Sequence, residues 1–216
     1  ECFLRLALDE PSSSQRYSGL RKTFLKVLTN LCRLVQHGKK PGCTAASKVI
    51  GLLVSNLQPG KQLGDLPPVW ELLLPLRDSQ MMGNIAETNS ALQVMKAVCL
   101  FLGQSSFITA NILEDFMDSL VNLGCSEHDA LRKMSSDIIG GLCSVDLSTV
   151  LQRMLPSLLS FLRDKNETKR SGACMLLRDV LDSVEDTSQV CPYVKVLLPI
   201  VMSMMIDPVK ICAEIS

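Results

Sequence analysis

The chain has 216 residues, enough to bury a sizeable core in one or two domains. Hydrophobic residues make up 47% of it and aromatics only 4%, so the core is mostly aliphatic, which suits helices better than sheets. Twenty-two basic residues balance twenty-two acidic ones, which argues against a chain that wraps nucleic acid by itself; DNA or membrane contact would have to be local or shared with other segments.

No five-residue stretch alternates apolar and polar residues cleanly within strand-type boundaries. A short opening helix precedes a linker or turn at Pro11-Ser12-Ser13-Ser14-Gln15. A long helix is expected over about 20–36, with Leu20, Phe24, Val27, Leu28, Leu31, Leu34 and Val35 on one side. The run from Gly38 to Gly42 ends it through glycine's backbone freedom and proline's missing donor. A second helix at about 44–57 stops at Pro59-Gly60, and a third lies near 69–76. Beyond a loop through Met82-Gly83-Asn84, helices are expected at about 87–102, 107–122, 128–142, 147–163, 167–184 and 190–206. In the 167–184 stretch, Ala173, Leu176, Leu177, Val180, Leu181 and Val184 have the spacing of one helical face, with Arg178, Asp179 and Asp182 pointing away.

The nine cysteines are odd in number, widely spaced and mostly set in apolar helical patterns, which reads as buried thiols in a reducing compartment rather than a disulfide framework. No apolar run approaches about 18 residues without a charge or a proline, so no membrane span is expected. The chain begins at Glu1 without a signal peptide and reads as part of something longer.

Self-similarity sets the architecture. The segment from Pro156 to Asp164 aligns without a gap on that from Pro199 to Asp207, 43 residues on, each with Leu before the proline and Ser four residues after it. Leu74-Pro75-Leu76-Arg77-Asp78 echoes it two repeats earlier, and Asp118-Ser119-Leu120-Val121-Asn122-Leu123 fills the intervening slot without a proline. A basic residue stands six positions after each turn, Ser126 to Arg132 and Asp164 to Arg170. Two helices per period of about 40 residues predict an all-α fold, an α-α superhelix of antiparallel pairs in the HEAT/armadillo manner. The signal is weak over 1–64, and 65–216 reads as about four repeats, the last one truncated. The Asp or Ser of each turn is expected to cap the second helix, and the later Arg to bond to the turn of a neighbouring repeat.

Arg132-Lys133 and Lys169-Arg170 therefore form a candidate interaction ridge, although a structural ladder accounts for them better. Cys125 and His128 have a ligand-like spacing but no second pair nearby, and zinc wants four ligands; they read as a buried thiol and a helix-start histidine. His37, the other histidine, stands beside no nucleophile signature. Pro59-Gly60-Lys61-Gln62 lacks the upstream glycine and closing Ser/Thr of a phosphate loop and is a turn. Arg21, Lys22, Lys26 and Arg33, with Lys39-Lys40 beyond them, form a basic stripe that reads as a solvated face. Met81-Met82 could form an adaptable patch, whereas Met202, Met204 and Met205 have the periodicity of core, and Trp70 reads as a packing anchor. No catalytic, cofactor or metal residue is expected in this segment.

From Leu66 to the end, the order of landmarks resembles the last HEAT repeats before the ATPase in the TATA-binding-protein-associated, Swi/Snf-type ATPase family. The likeness is carried by Pro68-Val69-Trp70, then Pro75-Leu76-Arg77, Asn89-Ser90-Ala91-Leu92-Gln93-Val94, Leu155-Pro156, Gly172-Ala173, and Pro192-Tyr193-Val194 leading into Leu197-Leu198-Pro199. The resemblance implies a nuclear transcription regulator whose ATPase, an ATP-dependent DNA translocase, strips TATA-binding protein from DNA. This segment would then be a non-catalytic spacer whose partner is the protein's own C-terminal ATPase domain. TATA-binding protein, DNA and ATP would be engaged by other parts. The alternative is a HEAT scaffold or transport adaptor of another family.

Overall fold

The computed structural model describes residues 15–55, 65–77, 84–101, 106–184 and 186–205. The opening helix, most of the 11–15 linker, the Pro59–Gln62 turn, Met81-Met82 and Asp207 lie outside them. Among the described residues all regular structure is helical: α1 (Gln15–His37), α2 (Lys40–Ser55), α3 (Pro67–Arg77), α4 (Ile85–Phe101), α5 (Ser106–Gly124), α6 (Asp129–Leu162), α7 (Glu167–Asp182), a 3-10 segment (Thr187–Tyr193) and α8 (Val194–Met205). The chain divides into two compact units, one within Glu1–Asn111 and one within Ile112–Ser216.

In the first unit only Gly38 and Lys39 separate α1 from α2; Pro41 and Gly42, expected to lie in the break, belong to α2's first turn. A proline costs nothing there, because the first amides of a helix have no intrahelical acceptor. Gly38 donates its N–H to Leu34 O at 2.9 Å, and a Cβ on it would clash with that oxygen. The Cys43 thiol lies within bonding distance of Leu34 O (3.3 Å) and of Gly38 O (3.1 Å), to which it donates at the end of α1. Helix α2 folds back on α1, α3 packs on α4, and α2 packs on α4, so one helix pair is sealed by the next. Phe24, Leu28, Ile50, Leu73, Leu92 and Met95 fill the space between them.

In the second unit α6 contains two helices meeting at Asp146, which alone leaves helical geometry (φ −151°, ψ 82°). Its carboxylate accepts from Thr149 N (3.1 Å) and Thr149 Oγ1 (2.7 Å), capping the second arm, so the two helices expected at 128–142 and 147–163 join without a loop. Helix α7 buries Ala173, Leu176, Leu177 and Val180 and exposes Arg178 and Asp182, as its periodicity predicts, whereas Asp179, Leu181 and Val184 are half-buried. The expected 190–206 helix begins instead as a 3-10 segment, since Pro192 lacks an amide hydrogen and disfavours α geometry at Cys191. Only Met204 of the three late methionines is buried: α8 is covered on its Leu197–Ile200–Met204 side, and Met202 and Met205 face outward.

Two stretches have the length and mean hydropathy of a membrane span, Asp129–Leu162 and Ser188–Met205, although each contains proline and charge. The first is mostly buried within the protein and broken at Asp146, as a core helix can be. The second includes the 3-10 segment and Lys195, both poorly suited to hydrocarbon.

Glycines let backbones touch at positions one repeat apart. A Cβ on Gly51 would stand 2.5 Å from Ala97 C and O, and one on Gly172 would stand 2.8 Å from Cys125 Cα and O. Gly172→Ala and Gly51→Ala are therefore expected to lower stability by about 1–3 kcal/mol each, through forced separation of packed helices. Gly42→Ala, in open space on α2, should be neutral or stabilising by up to about 1 kcal/mol. Urea unfolding midpoints of the three variants check the contrast.

Candidate functional site

The paired basic residues at the starts of α6 and α7 were the sequence's candidate ridge. Arg132 Nη1 donates to Ser126 O at 3.1 Å, and Arg170 Nη1 donates to Asp164 O at 3.0 Å and Lys165 O at 3.2 Å. Each guanidinium thus staples the turn six residues before it, because one helical turn brings the side chain back over its own loop. Arg132 also pairs with Asp129. Lys169 Nζ lies 3.3 Å from Asp164 Oδ2 and 5.6 Å from the Phe161 ring centroid, while Lys133 is exposed.

The caps also differ from expectation. Asn166, not Asp164, caps α7 by accepting from Thr168 N at 2.8 Å, and Asp164 in turn accepts from Asn166 N at 2.8 Å. The Asn166 amide, then Lys169, hold the Asp164 carboxyl below its usual range. His128 takes the cap position of α6 without a side-chain bond, and the buried Ser126 hydroxyl forms no hydrogen bond. Asp and Ser stand two residues too early to reach the helix amides that an N-cap serves.

Direct bonds link positions about one repeat apart: Ser157 Oγ to Asp118 Oδ1 at 2.8 Å, and Ser148 Oγ to Tyr193 Oη at 2.7 Å. The basic stripe of α1 is solvated at Lys22, Lys26 and Arg33, and Lys39 and Lys40 are exposed. Trp70 is part-buried beneath Arg77, whose guanidinium lies 5.3 Å from its ring centroid. His37 is exposed at the end of α1.

A cleft of about 340 Å³ lies between the second arm of α6, α7 and α8. Leu162, Val196, Ile200 and Met204 give it apolar walls, and Arg163, Arg170 and Lys195 place three cations on its lining. Among the described residues no carboxylate lines it, so its chemistry suits an acidic side chain on an otherwise apolar segment. The sequence did not single out Arg163 or Lys195. They are far apart in the chain and meet only because α8 packs beside α6 and α7.

None of the seven described cysteines is in a disulfide. Burial pushes the Cys125 and Cys143 thiols up to about 12, Lys169 opposing the rise at Cys125; burial, then Glu71, raises Cys32 to about 11. Such thiols are poor nucleophiles near neutrality.

No family model matches the chain, and no curated protein matches it. Among solved structures, a designed armadillo repeat protein in complex with the peptide (KR)4 is similar at 12% identity and a TM-score of 0.40, over 99% of this chain and 87% of that one. The class defined by the helix pairs and by contacts one repeat apart within the chain is all-α, of the HEAT/armadillo type.

Exposed Cys191 should be alkylated by iodoacetamide at pH 8 at least about tenfold faster than Cys125 or Cys143, as peptide mass spectrometry can resolve. Because folding raises the buried thiols above the ordinary value of 9.0, the folded state holds their protons more tightly than the unfolded chain. Stability from this source is present below pH 9 and is lost as pH climbs toward 12, so urea midpoints should fall from pH 9 to 11.

Proposed function

We propose that this chain is a non-catalytic HEAT-repeat scaffold segment of a nuclear ATPase that removes TATA-binding protein from DNA and so regulates transcription. It acts as the spacer between the repeats that grip TATA-binding protein and the C-terminal ATPase domain, which is its own partner. The observation that carries this reading is the sealing of each helix pair by the next, at Gly51 on Ala97, Gly172 on Cys125 and Ser157 on Asp118. Contacts of that kind hand a displacement from one repeat to its neighbour, as a spacer between a motor and a grip requires. The landmarks shared with the family, Trp70, Ala91, Leu92, Gly172 and Leu197 among them, occupy packing positions, which supports a shared architecture. ATP, DNA and TATA-binding protein belong to the intact protein, and no residue of this segment is assigned to them.

The cationic cleft favours a second reading, an adaptor that docks acidic segments in another HEAT family. A pull-down separates the two. Immobilised chain should capture the family's ATPase module and retain little or no TATA-binding protein. The reverse result rejects the spacer, and capture of neither leaves the adaptor. Measurable ATP hydrolysis by the isolated chain would overturn the non-catalytic assignment.

A further inference from the structure

Charge is segregated along this neutral chain. Between Pro11 and Gly64 stand nine Lys or Arg and no Asp or Glu, so the remainder carries the matching acidic excess. The first unit shows how the cations are used. Lys22, Lys26, Arg33, Lys39, Lys40 and Lys48 are all exposed.

Helix α1 arranges part of this set on an ordered face. Lys26 and Arg33 are seven residues apart, two helical turns, and form one ridge that Lys22 extends by another turn. Val27 and Leu34 form a second ridge with the same spacing, 52% and 49% exposed, and the exposed Thr23 and Asn30 fill the strip between. Opposite them, Phe24, Leu28, Cys32 and Val35 face the core. The outer face is therefore amphipathic in its own right: a cationic edge, a small polar strip and an aliphatic edge in a seven-residue register.

We propose that this face of α1 docks an acidic amphipathic helix of a protein partner. Its carboxylates would lie over Lys22, Lys26 and Arg33, and its aliphatic side chains against Val27 and Leu34. Charge complementarity selects an acidic partner, and the parallel aliphatic ridge selects a peptide over nucleic acid. A backbone of phosphates would find no aromatic platform on this face and would leave Val27 and Leu34 unused.

The test uses the whole 216-residue chain and a fluorescent synthetic peptide of about five helical turns, with Glu and Leu on adjoining seven-residue ridges. Anisotropy should report saturable binding that weakens as salt rises. Lys26→Glu with Arg33→Glu should weaken it at least about tenfold, and Val27→Ser with Leu34→Ser at least about threefold, with circular dichroism unchanged. Arg153→Glu, on the other unit, should leave binding unaltered. The proposal is overturned if the peptide does not bind, if charge reversal on α1 has no effect, or if the serine pair binds as well as the parent. Tighter binding of a DNA duplex than of the peptide overturns it too. So does peptide-competed self-association in sedimentation, which would assign the face to the acidic remainder of a second copy.

Discussion

The structure depends on backbones that come close enough to touch where one repeat meets the next. At Gly51 against Ala97 and at Gly172 against Cys125 there is no room for even a methyl group. Dispersion falls off steeply with distance, so a fixed close approach at one point lets the flanking side chains interdigitate along the helices. Leu28, Ile50, Leu92 and Met95 in the first unit, and Leu120, Ile139, Leu151 and Leu176 in the second, are almost wholly withdrawn from water in consequence. A single helix pair could not do this, because each pair has a second apolar side that only a neighbour covers.

The turns serve the same end. Arg132 and Arg170 reach back six residues to carbonyls that the turn would otherwise leave to solvent, and Asp164 braces the residue that caps α7. These bonds fix the direction in which each new helix leaves its loop. Arg132, Lys169 and Arg170 at the second-helix starts are thus engaged largely by structure, whereas Lys22, Lys26 and Arg33 of α1 face outward.

The helical class, the buried face of α7 and the break near Asp146 could be read from the chain because each depends on local periodicity or on a side chain within three residues. The six-residue interval from turn to arginine was visible too, but not whose turn the arginine serves; that follows from the path of the loop. Gly172 stood out as a landmark without a reason, since the reason is the Cys125 backbone 47 residues earlier. The cleft was invisible for the same cause: Arg163, Arg170 and Lys195 share no period, and only the placement of α8 collects them. The late methionines misled because periodicity identifies an apolar stripe without saying how much of it another helix covers.

The joint at Asp146 carries a constraint of its own. Two helices there share one unbroken backbone, with a single residue outside helical geometry and no loop to absorb a change in length. Adding or deleting one residue in the second arm beside it would turn the rest of that arm by about 100°. Val150, Leu151, Met154 and Leu158 would swing from the core toward water. Variation in length during evolution is therefore expected to gather in the connections between α6 and α7 and around Asp186, while the spacing from Asp146 to Leu158 holds fixed.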